Sequence, residues 1–395
     1  MSREMPNQPS RDLLRSELGP SLESQVAWYH HMQETQPIRY RPEYHLWEVF
    51  RYKDVQQVLL DYATFSVEKS RPENFPSVLG RSDPPDHRRL RGLVSKAFTP
   101  RSIEELTPRL IQIVDELLKP AIARGKMNVV TELTYLFPVR VIAEMLGLPP
   151  EDQERFRQWS YQLFRQIIGV SNSENNELLG YFSDLLDERK RDLCDDLISR
   201  LLVAEENGAH LTREEIIALC LELMVAGNVA VTALLNAALY RLCQHPEIYQ
   251  ALRDNPSLIP DAIEEILRYD PFPFTIWLTA RHDTMFNGHQ IKAGETVVAW
   301  ASAANFDETY FPQSLHFNMK RSPNPHLTFS YGIHNCLGSP LARLEARIAL
   351  ERIVAYFSEI RPDPENPVQY LDEMGSARHI KSLDILFTKA ASQAL

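Results

Sequence analysis

Residues 329–338 read FSYGIHNCLG. Cys336 is one of only four cysteines in 395 residues, and it stands between Gly332 and Gly338 in a chain with 14 glycines. A run of helical character, SPLARLEARIALERI, follows at once. Ser339 is placed to cap that helix, and Pro340 suits its first turn. The unpaired backbone N–H groups and positive end of such a helix favour a thiolate over a thiol, and a thiolate is a nucleophile or a metal ligand. The two glycines remove side chains on either side, as a flat group approaching the backbone requires. A nucleophile needs a base, and His334 is the near candidate. The plainer alternative is a buried cysteine acting as a small hydrophobe.

Other chemistries are poorly supported. Cys194, Cys220, Cys243 and Cys336 include no CxxC pair, so neither a disulfide framework nor a zinc ribbon is expected. Cys220 and Cys243 fall on one long helix, roughly 34 Å apart at 1.5 Å per residue, too far to bridge. No GxGxxG or Walker-type loop is present, which argues against the common phosphate cradles. The net charge of −11 argues against nucleic acid or an anionic membrane as a bulk partner. The first 20 residues are polar and lack the apolar core of a signal or anchor segment, so a flexible leader and a cytoplasmic location are expected.

The elements that must position Cys336 are mostly helices. EYHLWEVFRY reads as strand and YKDVQQVLLD as a short helix; residues 66–82 read as loop. From Asp86 onward helical periodicity dominates, with apolar residues at 103, 106, 110, 111, 113 and 114, then a helical pair over 151–190. Strand-like pieces return in MFNGHQIKAGETVVAWAS. No linker divides the chain, so one mainly α domain with a minor β component is expected over 1–395. One helix differs from the rest. Thr212 and Glu215 have capping-box spacing, His245-Pro246 closes the run, and Glu222 is the only charged residue from Ile216 to Tyr240. A membrane span has this composition. Glu222, Asn228 and Asn236 within the run favour the alternative, the central helix of a large protein.

FSYGIHNCLGSPLAR resembles the haem-binding signature of the cytochrome P-450 superfamily, with Phe329, Gly332, His334, Cys336, Gly338, Leu341, Ala342 and Arg343 at matching positions. IPDAIEEILRY is similar to that family's ExxR helix through Glu265 and Arg268, and SDPPDHRRLRG to its propionate-binding helix through His87 and Arg91. HPEIYQALRDNPSLIP and ASAANFDETYFPQSLHFNMKR also resemble family segments, and the matches run in family order from about residue 83 to 350. The resemblance implies the cytochrome P-450 fold and a haem b cofactor. Cys336 is then the thiolate ligand of the iron, and His87, Arg91 and His334 hold the propionates. It implies a monooxygenase that takes electrons from a separate ferredoxin or flavodoxin with its reductase.

Two positions depart from the family pattern. The long helix should carry an acid and an alcohol that help deliver protons during oxygen activation; AGNVAVT places Val229 and Ala230 there after Ala226 and Gly227. Gly227, Asn228 and Thr232 are the remaining candidates for catalytic roles. Either a substrate hydroxyl organises water, or peroxide or an atypical oxidation is used, or coupling is poor. A non-catalytic haem-based ligand sensor is the rival reading. The second departure is Leu278, where the family often has a propionate-binding arginine; Arg281 is out of phase. The resemblance places the substrate pocket along residues 66–82, 151–190, 222–232, PFPFTIW (Phe272, Phe274, Ile276) and MGSARH. Its mostly apolar lining favours a lipophilic substrate: terpenoid, steroid, fatty acid or polyketide. Arg88, Arg89, Lys96 and Arg343 are candidates for docking an acidic redox partner.

Overall fold

The computed structural model describes residues 18, 21–68, 78–167, 176–273, 275–370 and 380–390; of 164–167 the backbone alone is described. The expected leader (1–20) therefore lies outside the described residues apart from Leu18, as do Phe274 and MGSARH. The helices are α1 (Leu22–Thr35), α2 (Tyr52–Leu60), α3 (Asp86–Ala97), α4 (Pro100–Glu104), α5 (Thr107–Arg124), α6 (Leu136–Met145), α7 (Gln153–Ile167), α8 (Asn176–Arg191), α9 (Leu197–Val203), α10 (Arg213–Gln244), α11 (Pro246–Asp254), α12 (Ile259–Tyr269), α13 (Ala301–Ala304) and α14 (Ser339–Tyr356). They outweigh the strands, as the sequence predicts. The chain forms two compact bodies: residues up to 72 with 261–336 and 369–381, and residues 73–260 with 337–368 and 382–395. Their segments alternate along the sequence, so no single linker separates them.

The first body is built on a five-stranded sheet. Strands β1 (Ile38–Arg41), β2 (Leu46–Val49), β3 (Phe65–Ser66), β5 (Ile276–Ala280) and β8 (Thr296–Ala299) lie in the order β1-β2-β8-β5-β3. Only the β2–β8 pairing is parallel. Val49, Val55, Val58, Phe65, Val297 and Phe311 pack together beneath it. A second cluster is aromatic: Trp300 stacks on Phe50 with centroids 5.5 Å apart and lies 5.1 Å from Trp28, and Tyr29 and Phe306 complete it. Such pairs add about 0.5–1.5 kcal/mol each beyond their buried area.

The second body is organised around α10. The Thr212–Glu215 capping box predicted from sequence is present, and His245 closes the helix. By length and composition α10 could cross a membrane. It packs instead against α6, α7, α8, α11, α14 and β9 (Phe357–Pro362), the central-helix arrangement. β9 pairs with β12 (Asp384–Lys389), which also pairs with β4 (Lys126–Asn128).

α14 begins differently from the sequence reading. Its N-cap is Gly338 and no side chain caps it; Ser339 and Pro340 are the first two helical residues. Within α14, Glu345 is fully buried and neither carboxylate oxygen has a hydrogen-bonding partner among the described residues. Burial pushes its pKa well above the ordinary carboxylate value, which favours the neutral acid. The sign follows directly. The folded chain keeps a proton that the unfolded chain releases above about pH 4.3, so stability falls as pH rises from there, by about 1.4 kcal/mol per unit until the folded value is reached. Glu345→Gln removes that slope. Urea unfolding of both proteins between pH 5 and 8 is expected to show a shallower pH dependence in the variant; parallel curves would contradict this.

Candidate functional site

The loop carrying Cys336 is fixed from α12. Glu265 and Arg268 are both fully buried. Arg268 donates to both oxygens of Glu265 at 2.8 Å, and to the carbonyls of Asn305 and Ser314 at 2.9 Å. Glu265 also accepts from the Asn318 backbone N–H at 2.9 Å, Arg321 Nε at 3.2 Å and Asn324 Nδ2 at 3.2 Å. The pair is thus a buried hub, where spacing alone would allow a surface salt bridge. Asn305 carries the constraint onward. Its Oδ1 accepts from Leu327 N at 2.8 Å and its Nδ2 donates to Thr328 Oγ1 at 2.9 Å, while Thr328 donates back to the Leu267 carbonyl. Phe329 follows immediately, and its carbonyl accepts from Cys336 N at 2.9 Å, closing the loop.

Inside that loop Gly332 has φ +71°, a left-handed conformation, and an added Cβ would stand 3.0 Å from the Leu59 carbonyl. Glycine is required there on both counts. Ser330 adopts φ +61° without that freedom, and its Oγ is buried with no hydrogen-bonding partner among the described residues. Sequence reading gave no sign of this strained residue. Cys336 is exposed, and Phe329 and His334 are half-buried. Burial pushes Cys220 and Cys243 up to about 12, which disfavours the thiolate a ligand requires, and Cys194 lies on the surface after α8. The four cysteines form no disulfide.

In the second body, His87 is buried on α3 and Arg91 lies one turn further along it, half-buried. Gly338 and Ala342 are half-buried at the start of α14. α10 has two faces. Ala226 is exposed at mid-helix, and Leu223, Val229, Ala230 and Ala233 beside it are half-buried, giving an open stripe of small apolar side chains. Asn228 and Thr232 lie about 200° and 240° round the helix from Ala226. Asn228 donates to Ser160 Oγ at 3.2 Å, and Thr232 donates to the Thr134 carbonyl at 3.0 Å. Thr134 closes a single π-helical turn, Val130–Thr134, and its hydroxyl donates to Asn236. A Cβ on Gly227 would meet Ile142 at 2.7 Å, so this glycine serves the packing of α10 on α6. Gly227, Asn228 and Thr232, the remaining candidates for catalytic roles, are thus each engaged in packing or in hydrogen bonds to neighbouring elements.

Leu278 is 3% exposed within the core under the sheet, so no cation replaces the family arginine at that position. Arg281 is exposed and pairs with Glu68 at 3.4 Å. Phe272 and Ile276 are half-buried, and Ile276 packs against the sheet cluster. Of the basic docking candidates, Arg89 is paired with Glu215 and Lys96 donates to the Glu205 carbonyl at 2.6 Å; Arg88 is exposed and Arg343 half-buried.

These residues fit a haem. The first body offers one exposed thiol in a loop kept open by a left-handed glycine, and the imidazole of His334; in the second body His87 and Arg91 carry the imidazole and guanidinium chemistry that propionates require. Comparison with known proteins agrees. The cytochrome P450 profile matches residues 145–387. The erythromycin C-12 hydroxylase of Saccharopolyspora erythraea is 38% identical over 368 residues, covering 88% of this chain and 91% of that protein. The mycinamicin IV hydroxylase/epoxidase of Micromonospora griseorubida is 38% identical over 364 residues, with 88% and 91% covered. Among solved structures, CYP109E1 from Bacillus megaterium in complex with testosterone superimposes with a TM-score of 0.85 at 34% identity, over 91% of this chain and 98% of that one. The chain belongs to the cytochrome P450 family. It is an oxidoreductase of the monooxygenase type with a haem-thiolate cofactor.

Removing one member of a buried ion pair strands the other, at a cost of about 3–5 kcal/mol. Arg268→Met is therefore expected to lose at least that much stability in urea unfolding; a loss below about 1 kcal/mol would show that the hub does not hold the loop.

Proposed function

We propose that this chain is a haem b monooxygenase inserting one oxygen atom from O2 into a lipophilic, hydroxyl-bearing small molecule, with electrons from a separate ferredoxin or flavodoxin in the cytoplasm. The observation that carries the reading is the exposed Cys336 thiol, fixed in its glycine loop by the chain of bonds from Arg268. Bound there, the haem supplies oxygen activation, helped by electron density from the thiolate that favours O–O cleavage. Gly332, Gly338 and Ala342 carry little or no side chain that would obstruct a flat ring, Phe329 would offer it an aromatic contact, and His87, Arg91 and His334 would supply positive or hydrogen-bonding groups for its carboxylates. Ala226, Val229 and Ala230 present an apolar wall to substrate. Arg88 is the docking-patch residue most open to an acidic redox partner.

At Val229 and Ala230 the open stripe of α10 bears neither acid nor alcohol, Glu222 at its N-terminal end is anchored to main chain, and Asn228 and Thr232 bond to other partners. A substrate hydroxyl that orders water there is the favoured source of protons, which makes coupling depend on the substrate. Peroxide-driven oxidation is the second reading, favoured by the same vacancy of proton donors. Turnover under 18O2 with NADPH, ferredoxin and reductase, offered erythromycin-type, mycinamicin-type and steroid compounds, is expected to place one 18O atom in product. With a substrate lacking hydroxyls, Val229→Glu/Ala230→Thr is expected to raise product per NADPH severalfold and to lower peroxide release. Product formed only with added peroxide would favour the second reading, and tight ligand binding without product would favour a sensor.

A further inference from the structure

Glu222 is the sole charged side chain between Ile216 and Tyr240, on a helix otherwise given over to apolar packing. A carboxylate in that setting is costly unless its oxygens are satisfied. They are satisfied by main chain. Oε2 accepts from Val78 N at 2.9 Å and Leu79 N at 3.0 Å, and Oε1 accepts from Gly80 N at 2.9 Å. Three successive N–H groups converging on one anion make a charge-assisted contact that neither an amide nor an alkyl side chain can reproduce. A glutamine would turn its own donors toward donors.

The position of this contact on α10 gives it a consequence. Glu222 lies one turn before Ala226, about 6 Å along the axis and on the same side of the helix as Ala226, Val229, Ala230 and Ala233. Residues 78–80 are thereby held at the N-terminal end of the open stripe, with Leu79 buried and Val78 half-buried. The donors are backbone groups, so the contact reads the main chain of 78–80, while the buried Leu79 side chain adds packing.

We propose that Glu222 is a positioning residue for substrate: it anchors residues 78–80 to α10 and so sets the wall that closes one end of the apolar stripe. This rests on the monooxygenase reading above. The test compares wild-type and Glu222→Gln holoenzyme by hydrogen exchange at residues 78–80, and by spectral titration with imidazole, which reports the iron, and 4-phenylimidazole, which also needs the wall. In the variant, exchange at 78–80 is expected to quicken and 4-phenylimidazole to bind about tenfold more weakly, the scale of one lost charged hydrogen bond. Imidazole affinity and the carbon monoxide spectrum should stay as in wild type. Unchanged exchange overturns the proposal, as does faster exchange with 4-phenylimidazole affinity intact. Equal weakening of both ligands also overturns it, because the damage then lies at the iron. If the glutamine variant fails to hold haem, Glu222→Asp, which keeps the charge one methylene shorter, is judged by the same criteria. A wild-type protein without haem would sink the functional reading and this proposal with it, whereas a normal haem spectrum with unchanged exchange sinks the proposal alone.

Discussion

The ion pair between Glu265 and Arg268 is the constraint on which the cysteine loop depends. Both side chains are fully buried, and burying two charges costs several kcal/mol per ion before anything is regained. The cost is offset only because every arm of the guanidinium and both carboxylate oxygens are bonded, to each other and to Asn305, Ser314, Asn318, Arg321 and Asn324. Such a hub tolerates one geometry. Asn305 passes that geometry to Leu327 and Thr328, and the Phe329–Cys336 bond completes it. A flexible loop would hold a metal ligand only at an entropic cost paid at each binding event; this one meets that cost during folding.

α10 divides its labour. Part of it holds the helix in place: Asn228, Thr232 and Asn236 bond to Ser160 and to the π turn at Thr134, and Gly227 accepts Ile142. A π turn frequently marks a functional site; here its carbonyl and hydroxyl fix the rotation of the long helix. The open stripe keeps small apolar residues and the anchored carboxylate of Glu222. The helix therefore spends most of its polar groups on holding itself and its neighbours in place, Glu222 included.

What the sequence made legible was local. The glycine-flanked cysteine, the i, i+3 pair of Glu265 and Arg268, and the Thr212–Glu215 capping box each lie within a few residues, and the structure shows the second and third as bonded pairs. What it hid was long-range or rotational. Glu265 looks like a surface partner until Asn318, Arg321 and Asn324, more than fifty residues on, fold over it. The bonds of Asn228 to Ser160 and of Thr232 to the Thr134 carbonyl are equally hidden, because spacing along a helix does not say which side meets its neighbours. The partners of Glu222 are backbone groups about 140 residues away, which no side-chain motif records. Ser339 has the right chemistry for a cap but lies one residue inside the helix, a boundary of the kind that shifts most easily.

The most direct measurement is the carbon monoxide difference spectrum of the reduced protein, recorded for wild type and for Cys336→His. The account predicts the strongly red-shifted Soret band of a cysteinate-bound haem in wild type, and its replacement in the variant by a band of the histidine-ligated type or by loss of haem. A wild-type band already of the histidine type, or a red-shifted band that survives the substitution, would contradict the assignment of Cys336 and with it the site described above.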